Sequence, residues 1–262
     1  DIKGLEAEDF PLIPDVEKEN EIELSAMEFK KSLSQVLLAA SLDTSRVEIN
    51  AVNFKFKPGE LILAATDSYR LAEKRINITN GKETALIIPL KTLQELSRIL
   101  NEQIDKTIKI YFNENQIMFA FDGVELISRV IDGKYPDYSQ IIPAEFTTDA
   151  KVNINKLVPA IKSVALFCKT GINDIKLSFD SKKNEIVIAT ASSNIGTSIA
   201  KVEAEISGAD NDIVFNYRYL LDGLNNLSSD QVLMKINNNS SPGLLKPTND
   251  EKYIYLVMPI RQ

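Results

Sequence analysis

Apolar side chains recur with a helical period between Ser25 and Ala40, where Phe29, Leu33, Val36, Leu37 and Ala40 share one face. The spacing returns at Leu157, Ile161, Val164, Ala165 and Cys168, so a second amphipathic helix is predicted to end at Cys168. Ser25 followed by Glu28 reads as a capping box, and Asn153 or Asn155 is placed to cap the later helix. Short apolar runs between turn residues predict strands, and Glu60–Ala64 is answered by Glu185–Ala189. Further helices are predicted over 90–100 and 217–227. Closing strands follow at 107–112 and 116–121 in the first half and at 232–236 and 253–258 in the second. Corresponding elements lie about 127 residues apart, and a constant offset over several element types reads as a duplication. Each copy has the order β-α-β-β-β-α-β-β, which points to an α+β fold with sheets on one side and helices on the other. The boundary is predicted near Ile142-Pro143-Ala144-Glu145, giving copies at 21–142 and 143–262. Residues 1–20, with Pro11, Pro14 and no apolar period, read as an acidic linker.

Composition narrows the chemistry. The chain has 262 residues, 44% apolar and 26% charged, which is ordinary for a globular protein with two cores. Histidine is absent, which removes the commonest general base and metal ligand. A single cysteine, Cys168, excludes an internal disulfide and fits a reducing cytoplasm. No run is long enough for a transmembrane helix and no signal-peptide pattern opens the chain, so a cytoplasmic location without membrane contact is expected. Residue 1 is Asp rather than Met, which fits an upstream part missing or removed. The net charge of −7 argues at first against a nucleic-acid partner. Much of it sits in residues 1–20, which hold seven acids and two lysines, so the rest is close to neutral. Phosphate-binding loops, nucleophile elbows and metal-spaced Cys/His clusters are all missing. Neither catalysis, a metal nor a cofactor is expected.

Two segments stand out. Ala65-Thr66-Asp67-Ser68-Tyr69-Arg70-Leu71-Ala72 carries a turn signal, and by itself it reads as a hairpin. Beside that turn it also places an aromatic, a guanidinium and an aliphatic group, a set common at peptide-binding hot spots. The run Tyr255-Leu256-Val257-Met258-Pro259-Ile260-Arg261-Gln262 reads as an edge strand stopped by proline, or as a surface where methionine adapts to different partners.

Taken together, these two segments on a duplicated α+β scaffold resemble the β sliding clamp family of bacterial DNA polymerase III. Asp132-Gly133-Lys134-Tyr135-Pro136-Asp137-Tyr138 is similar to the motif joining that family's second and third domains. Phe215-Asn216-Tyr217-Arg218-Tyr219-Leu220-Leu221 is similar to a helix entry of its third. Glu8-Asp9-Phe10-Pro11-Leu12-Ile13-Pro14 looks like the connector after its first. The resemblance covers the whole chain as the second and third domains, with the first absent. It implies two tandem DNA-clamp domains and a non-catalytic ring that tethers polymerase to DNA, closing head to tail with itself in the full-length protein. Replicative DNA polymerase, clamp loader and other proteins bearing clamp-binding peptides are the implied partners, with double-stranded DNA held without sequence preference.

Carried over residue by residue, the peptide pocket comprises Ile49, Thr66, Ser68, Tyr69, Arg70 and Leu71 from the first copy. Pro136, Gln140 and Ile141 come from the connecting motif and Ile172 from the loop after the third helix. Ser241, Leu256, Val257, Met258, Pro259, Ile260 and Arg261 complete it. The resemblance sets Tyr69 and Arg70 at the rim of a depression formed by Leu71, Ile172, Met258 and Pro259. Departures bear on fine specificity: Ser68 stands where glycine is frequent, Ile172 where an aromatic can sit, Gln140 for a basic residue and Gln262 for an apolar one. Lys31, Lys91, Arg98 and Lys162 lie opposite the apolar helix stripes, and they read either as solvated cations or as a lining that touches DNA phosphates. Glu95 shares these faces. Two rivals are a complete two-domain clamp closing as a trimer, of the archaeal and eukaryotic kind, and a hydrolase using scattered carboxylates.

Overall fold

The computed structural model describes residues 3, 4, 6, 8, 20–79, 82–100, 107–169, 171–192 and 196–261. Most of the predicted linker, and Gln262, lie outside these residues. The first unit runs β1 (Asn20–Ser25), α1 (Ala26–Leu37), β2 (Ala51–Lys57), β3 (Glu60–Thr66), β4 (Arg70–Asn77), β5 (Thr84–Pro89), α2 (Leu90–Ile99), β6 (Thr107–Phe112), β7 (Gln116–Phe121) and β8 (Val124–Arg129). The second repeats that order as β9 (Thr148–Asn153), α3 (Ile154–Ala165), β10 (Asp174–Asp180), β11 (Glu185–Ser192), β12 (Gly196–Gly208), β13 (Asn211–Asn216), α4 (Tyr217–Asn225), β14 (Gln231–Ile236), β15 (Gly243–Pro247) and β16 (Tyr253–Val257). A 3-10 turn at Tyr138–Ile141 lies between the units.

Among the described residues each unit therefore has eight strands, two more than the sequence pattern predicts. Among them, β8 shows no clean inside–outside alternation, and β15 is a five-residue strand that begins at glycine and ends at proline. Helix starts follow the capping reading. Ser25 Oγ accepts from the Glu28 N–H at 3.4 Å, and Asn153 and Asn216 accept from the N–H two residues on. The helices stop earlier than their apolar stripes: α1 ends at Leu37 and α3 at Ala165. Ala39 and Cys168 continue into tighter turns, bonding back to Val36 and Ala165, and stay buried.

All strand pairing is antiparallel. One sheet has the order β1-β6-β7-β8. The other strands form one continuous sheet, β13-β10-β11-β12-β9-β14-β15-β16-β4-β3-β2-β5, which crosses between the units at β16–β4. There Leu256 faces Leu71 and Tyr255 faces Ala72. Buried side chains of the strands and helices share one apolar core. Phe29 of α1 packs against Phe54 and Phe119, and Phe56 stacks on Phe112 at 4.1 Å. At the seam, α4 lets Tyr255 come close only because residue 223 is glycine: a Cβ there would lie 2.3 Å from the Tyr255 ring. Further bonds cross the seam: Tyr253 donates its hydroxyl to the Gln35 carbonyl at 3.0 Å, and Lys74 pairs with Asp250. The outcome is an α+β molecule of two tandem repeats fused along a β-strand pair.

Candidate functional site

The turn between β3 and β4 is held by its own short polar side chains. Asp67 Oδ1 accepts from the N–H groups of Tyr69 and Arg70 at 2.9 and 3.0 Å. Thr66 Oγ1 accepts from the Ser68 N–H and donates to the Arg70 carbonyl. Ser68 takes a φ of 77°, in the left-handed region that favours glycine. Arg46 Nη1 donates to the Ser68 hydroxyl at 3.0 Å, tying the α1–β2 loop to the turn. The consequence is a fixed loop that presents Tyr69 with 61% of its surface exposed.

Three other segments meet this loop. The tail after β16 is the first: Met258 donates its N–H to the Tyr69 carbonyl at 2.9 Å, and Ile260 donates to the Val214 carbonyl at 2.8 Å. Met258, Pro259 and Ile260 are half-buried and Arg261 is exposed. Helix α4 is the second. Tyr219 stacks on Tyr69 with ring centroids 6.1 Å apart, and the Arg70 guanidinium lies 4.7 Å from the Tyr219 centroid. Arg70 also pairs with Asp67 and, across the units, with Asp222. Burial opposes its charge, but the Tyr255 hydroxyl, Asp222 and Asp67 outweigh it and hold the guanidinium protonated.

The third is the connecting segment. Tyr135 is buried, and its hydroxyl accepts from the Thr66 N–H at 3.1 Å. Tyr138 donates to the buried Glu73 carboxylate at 2.7 Å. Burial, and Glu73 after it, push the Tyr138 hydroxyl well above the ordinary phenol range. Asp137 caps the 3-10 turn, accepting from Ser139 and from Gln140 Nε2 at 2.9 Å, and these bonds lower its carboxyl from the ordinary value. Beneath the turn, Leu71, Leu244 and Leu256 form a buried cluster against Tyr138, Ile142 and Phe146.

The predicted residues therefore divide by depth. Leu71, Leu256, Val257 and Ile49 are buried, so they support the site from below. Thr66 is also buried, Ser68 is exposed at the loop tip, and Pro136, Gln140 and Ile141 lie along the exposed connecting segment. Ser241, half-buried, ends the turn that leads into β15, whose Gly243 pairs with Val257. Ile172 stands apart at the loop before β10, 44% exposed. Arg70 differs most from its expected rim position: it is locked between the two units. Tyr219, Asp222 and Leu244 were not among the predicted site residues. Tyr219 lies within a motif that the sequence marks out, but its partner Tyr69 is brought to it only by the β4–β16 pairing.

The helix cations Lys31, Lys91, Arg98 and Lys162 are all exposed. Helix α1 packs beside α2 and α3 beside α4. Arg98 is held by Glu95 at 2.8 Å, which cancels its charge locally. Arg218 on α4 adds an exposed cation that the pattern did not single out. Among the described residues no group of three His, Cys, Asp or Glu side chains is placed to hold a metal, and no helix is long and apolar enough to cross a membrane.

Comparison with known proteins gives concordant matches. The family profile of the DNA polymerase III beta subunit, central domain, matches residues 23–137, and that of the C-terminal domain matches 139–261. The beta sliding clamp of Synechococcus elongatus is 34% identical over 99% of this chain and 70% of its own length. That of Staphylococcus epidermidis is 33% identical over 99% and 69%. The crystal structure of the DNA polymerase sliding clamp from Bacillus subtilis superposes with a TM-score of 0.93 at 30% identity, covering 98% of this chain and 68% of that one. These matches favour neither the trimeric two-domain clamp nor the hydrolase.

Proposed function

The chain belongs to the DNA polymerase III beta subunit family, the non-catalytic sliding clamps that serve as processivity factors, and from that premise we propose where its partners dock. The docking site is the seam between the two units, bounded by Tyr69, Met258, Pro259 and Tyr219 and flanked by Ile141. One observation carries this reading. Nine large apolar side chains are exposed among the described residues, and two of them, Tyr69 and Ile141, lie on segments that meet at the seam. Exposed apolar groups gathered beside a fixed polar turn are the usual mark of a peptide site.

An extended peptide from replicative polymerase, the clamp loader or another replication protein would set its apolar residues against Met258 and Tyr69. The loop needs no rearrangement, because its turn, its cation and its aromatic pair are already in place. Lys31, Lys91 and Lys162 would meet DNA phosphates through charge alone, which suits sliding since phosphate contacts carry no sequence information. A clamp-binding peptide carrying a photo-reactive group at its apolar end tests the reading. It should label Tyr69, Met258 or Tyr219; labelling confined to other surfaces would refute it.

A further inference from the structure

The duplication extends to single hydrogen bonds, and it pairs a covered set of positions in the first unit with a more exposed set in the second. In the first unit Leu90 donates its N–H to the Asn50 carbonyl, and in the second Tyr217 donates to Asn173. Ile131 donates to Ile87 at 2.9 Å, and Ile260 donates to Val214 at 2.8 Å. Ala51 pairs with Pro89, the residue capping α2, and Asp174 pairs with Asn216, the residue capping α4. By these equivalences Ile49, Ala51, Ile87 and Ile131 correspond to Ile172, Asp174, Val214 and Ile260.

In the first unit that set is covered. Tyr135 lies over Ile49, Ala51 and Ile87, with Ile131 packed beside it, and is itself 8% exposed. Its hydroxyl takes the Thr66 N–H. In the second unit Ile172 is 44% exposed, and Val214, Ile260 and Asp174 are half-buried. Strand pairing places Ala191, which is exposed, at the position of Thr66. The first unit thus displays, within one chain, an occupant that this arrangement accepts. Asp174 stands where the first unit has Ala51 and adds an acceptor at the floor, which suits a ring bearing a hydroxyl.

We propose that the Ile172–Val214–Ile260 groove of the second unit takes an aromatic side chain, preferably tyrosine, from a docked partner segment, in the manner in which Tyr135 fills the first. This deepens the reading of the seam as a peptide site and rests on it, since Met258 and Ile260 lie on the same short tail.

The chain's own sequence supplies the probe. A synthetic peptide copying Ile131–Tyr138 is titrated into the whole protein and followed by amide chemical shifts. Saturable shifts should centre on Ile172, Val214 and Ile260. The peptide with Tyr135→Ala should bind at least about tenfold more weakly, and so should the protein with Val214→Asp or with the exposed Ile172→Ser. The Ile172→Ser arm keeps the test decisive if Val214→Asp does not fold. Absence of saturable binding, or affinity indifferent to these changes, overturns the proposal. A parallel titration with a glutamine-led clamp-binding peptide separates the two readings. Binding of that peptide at Met258 without binding of the linker copy defeats the groove alone, and loss of both defeats the docking site as well.

Discussion

Met258 donates its backbone N–H to the carbonyl oxygen of Tyr69 at 2.9 Å, and this bond fixes the tail of the second unit to the turn of the first. The proposed docking site is therefore a property of the seam, and its stability depends on what holds the two units together.

Besides the β4–β16 pairing, Arg70 ties the units through its side chain. It reaches Asp67 on its own turn, Asp222 on α4 and the face of Tyr219. Replacing it with alanine leaves Asp67, only 13% exposed, without its ion-pair partner. Urea unfolding of Arg70→Ala should show a loss of about 2 kcal/mol, the range for hydrogen bonds to charged groups. Peptide affinity should fall with it. A variant as stable as the parent would show that the latch does not hold the seam.

Ser68 carries a left-handed backbone that its Cβ disfavours. Ser68→Gly relieves that strain but loses the Arg46 bond. Because the Arg46 bond is exposed, the relief should win, raising stability by a few tenths to about 1 kcal/mol in a thermal melt. A clear fall in melting temperature would mean that the Arg46 bond matters more than the backbone strain.

The repeat and its helices were legible because a 3.6-residue apolar period survives any tertiary context. Phe29, Leu33 and Val36 of α1 are buried as their spacing demands. The candidate segments were legible because turn chemistry is local: Asp67 bonds its own neighbours. What remained hidden was set by partners distant in sequence. Leu71 was expected to line the depression, but its complete burial was not legible, because β16, which lies against it, is distant in sequence. Nothing local to Arg70 announces Asp222, 152 positions away. Strand β8 was missed because its faces do not alternate cleanly.

The Lys74–Asp250 pair gives the seam a dependence on acid. Burial raises the Asp250 carboxyl, but Lys74 and the Lys252 N–H outweigh it, so the group stays below its ordinary 3.8. A folded value below the unfolded one means that the stabilisation is complete above 3.8 and is lost as pH falls through the lower folded value. Unfolding at about pH 6 and about pH 3 should differ less in Lys74→Met than in the parent. An identical pH response in both would exclude this pair as a source.

The exposed helix lysines should act on DNA and not on peptides. Lys91→Glu and Lys162→Glu should each weaken binding to duplex DNA and lower the log–log salt slope by about one for every phosphate that is no longer neutralised. Arg98→Ala should do less, because Glu95 already pairs with that charge. Fluorescence anisotropy at two salt concentrations decides it. An equal effect of all three changes would contradict the assignment.

The most direct test of the seam as a docking site is a calorimetric titration of a clamp-binding peptide, a glutamine followed by short aliphatic and aromatic residues. It is run against the parent chain and against a Tyr69→Ala, Met258→Ala double variant. Both side chains are surface-accessible, so the fold should persist by circular dichroism. One site per chain is expected, with affinity reduced about thirtyfold or more in the variant. Equal affinity in a folded variant would contradict the account.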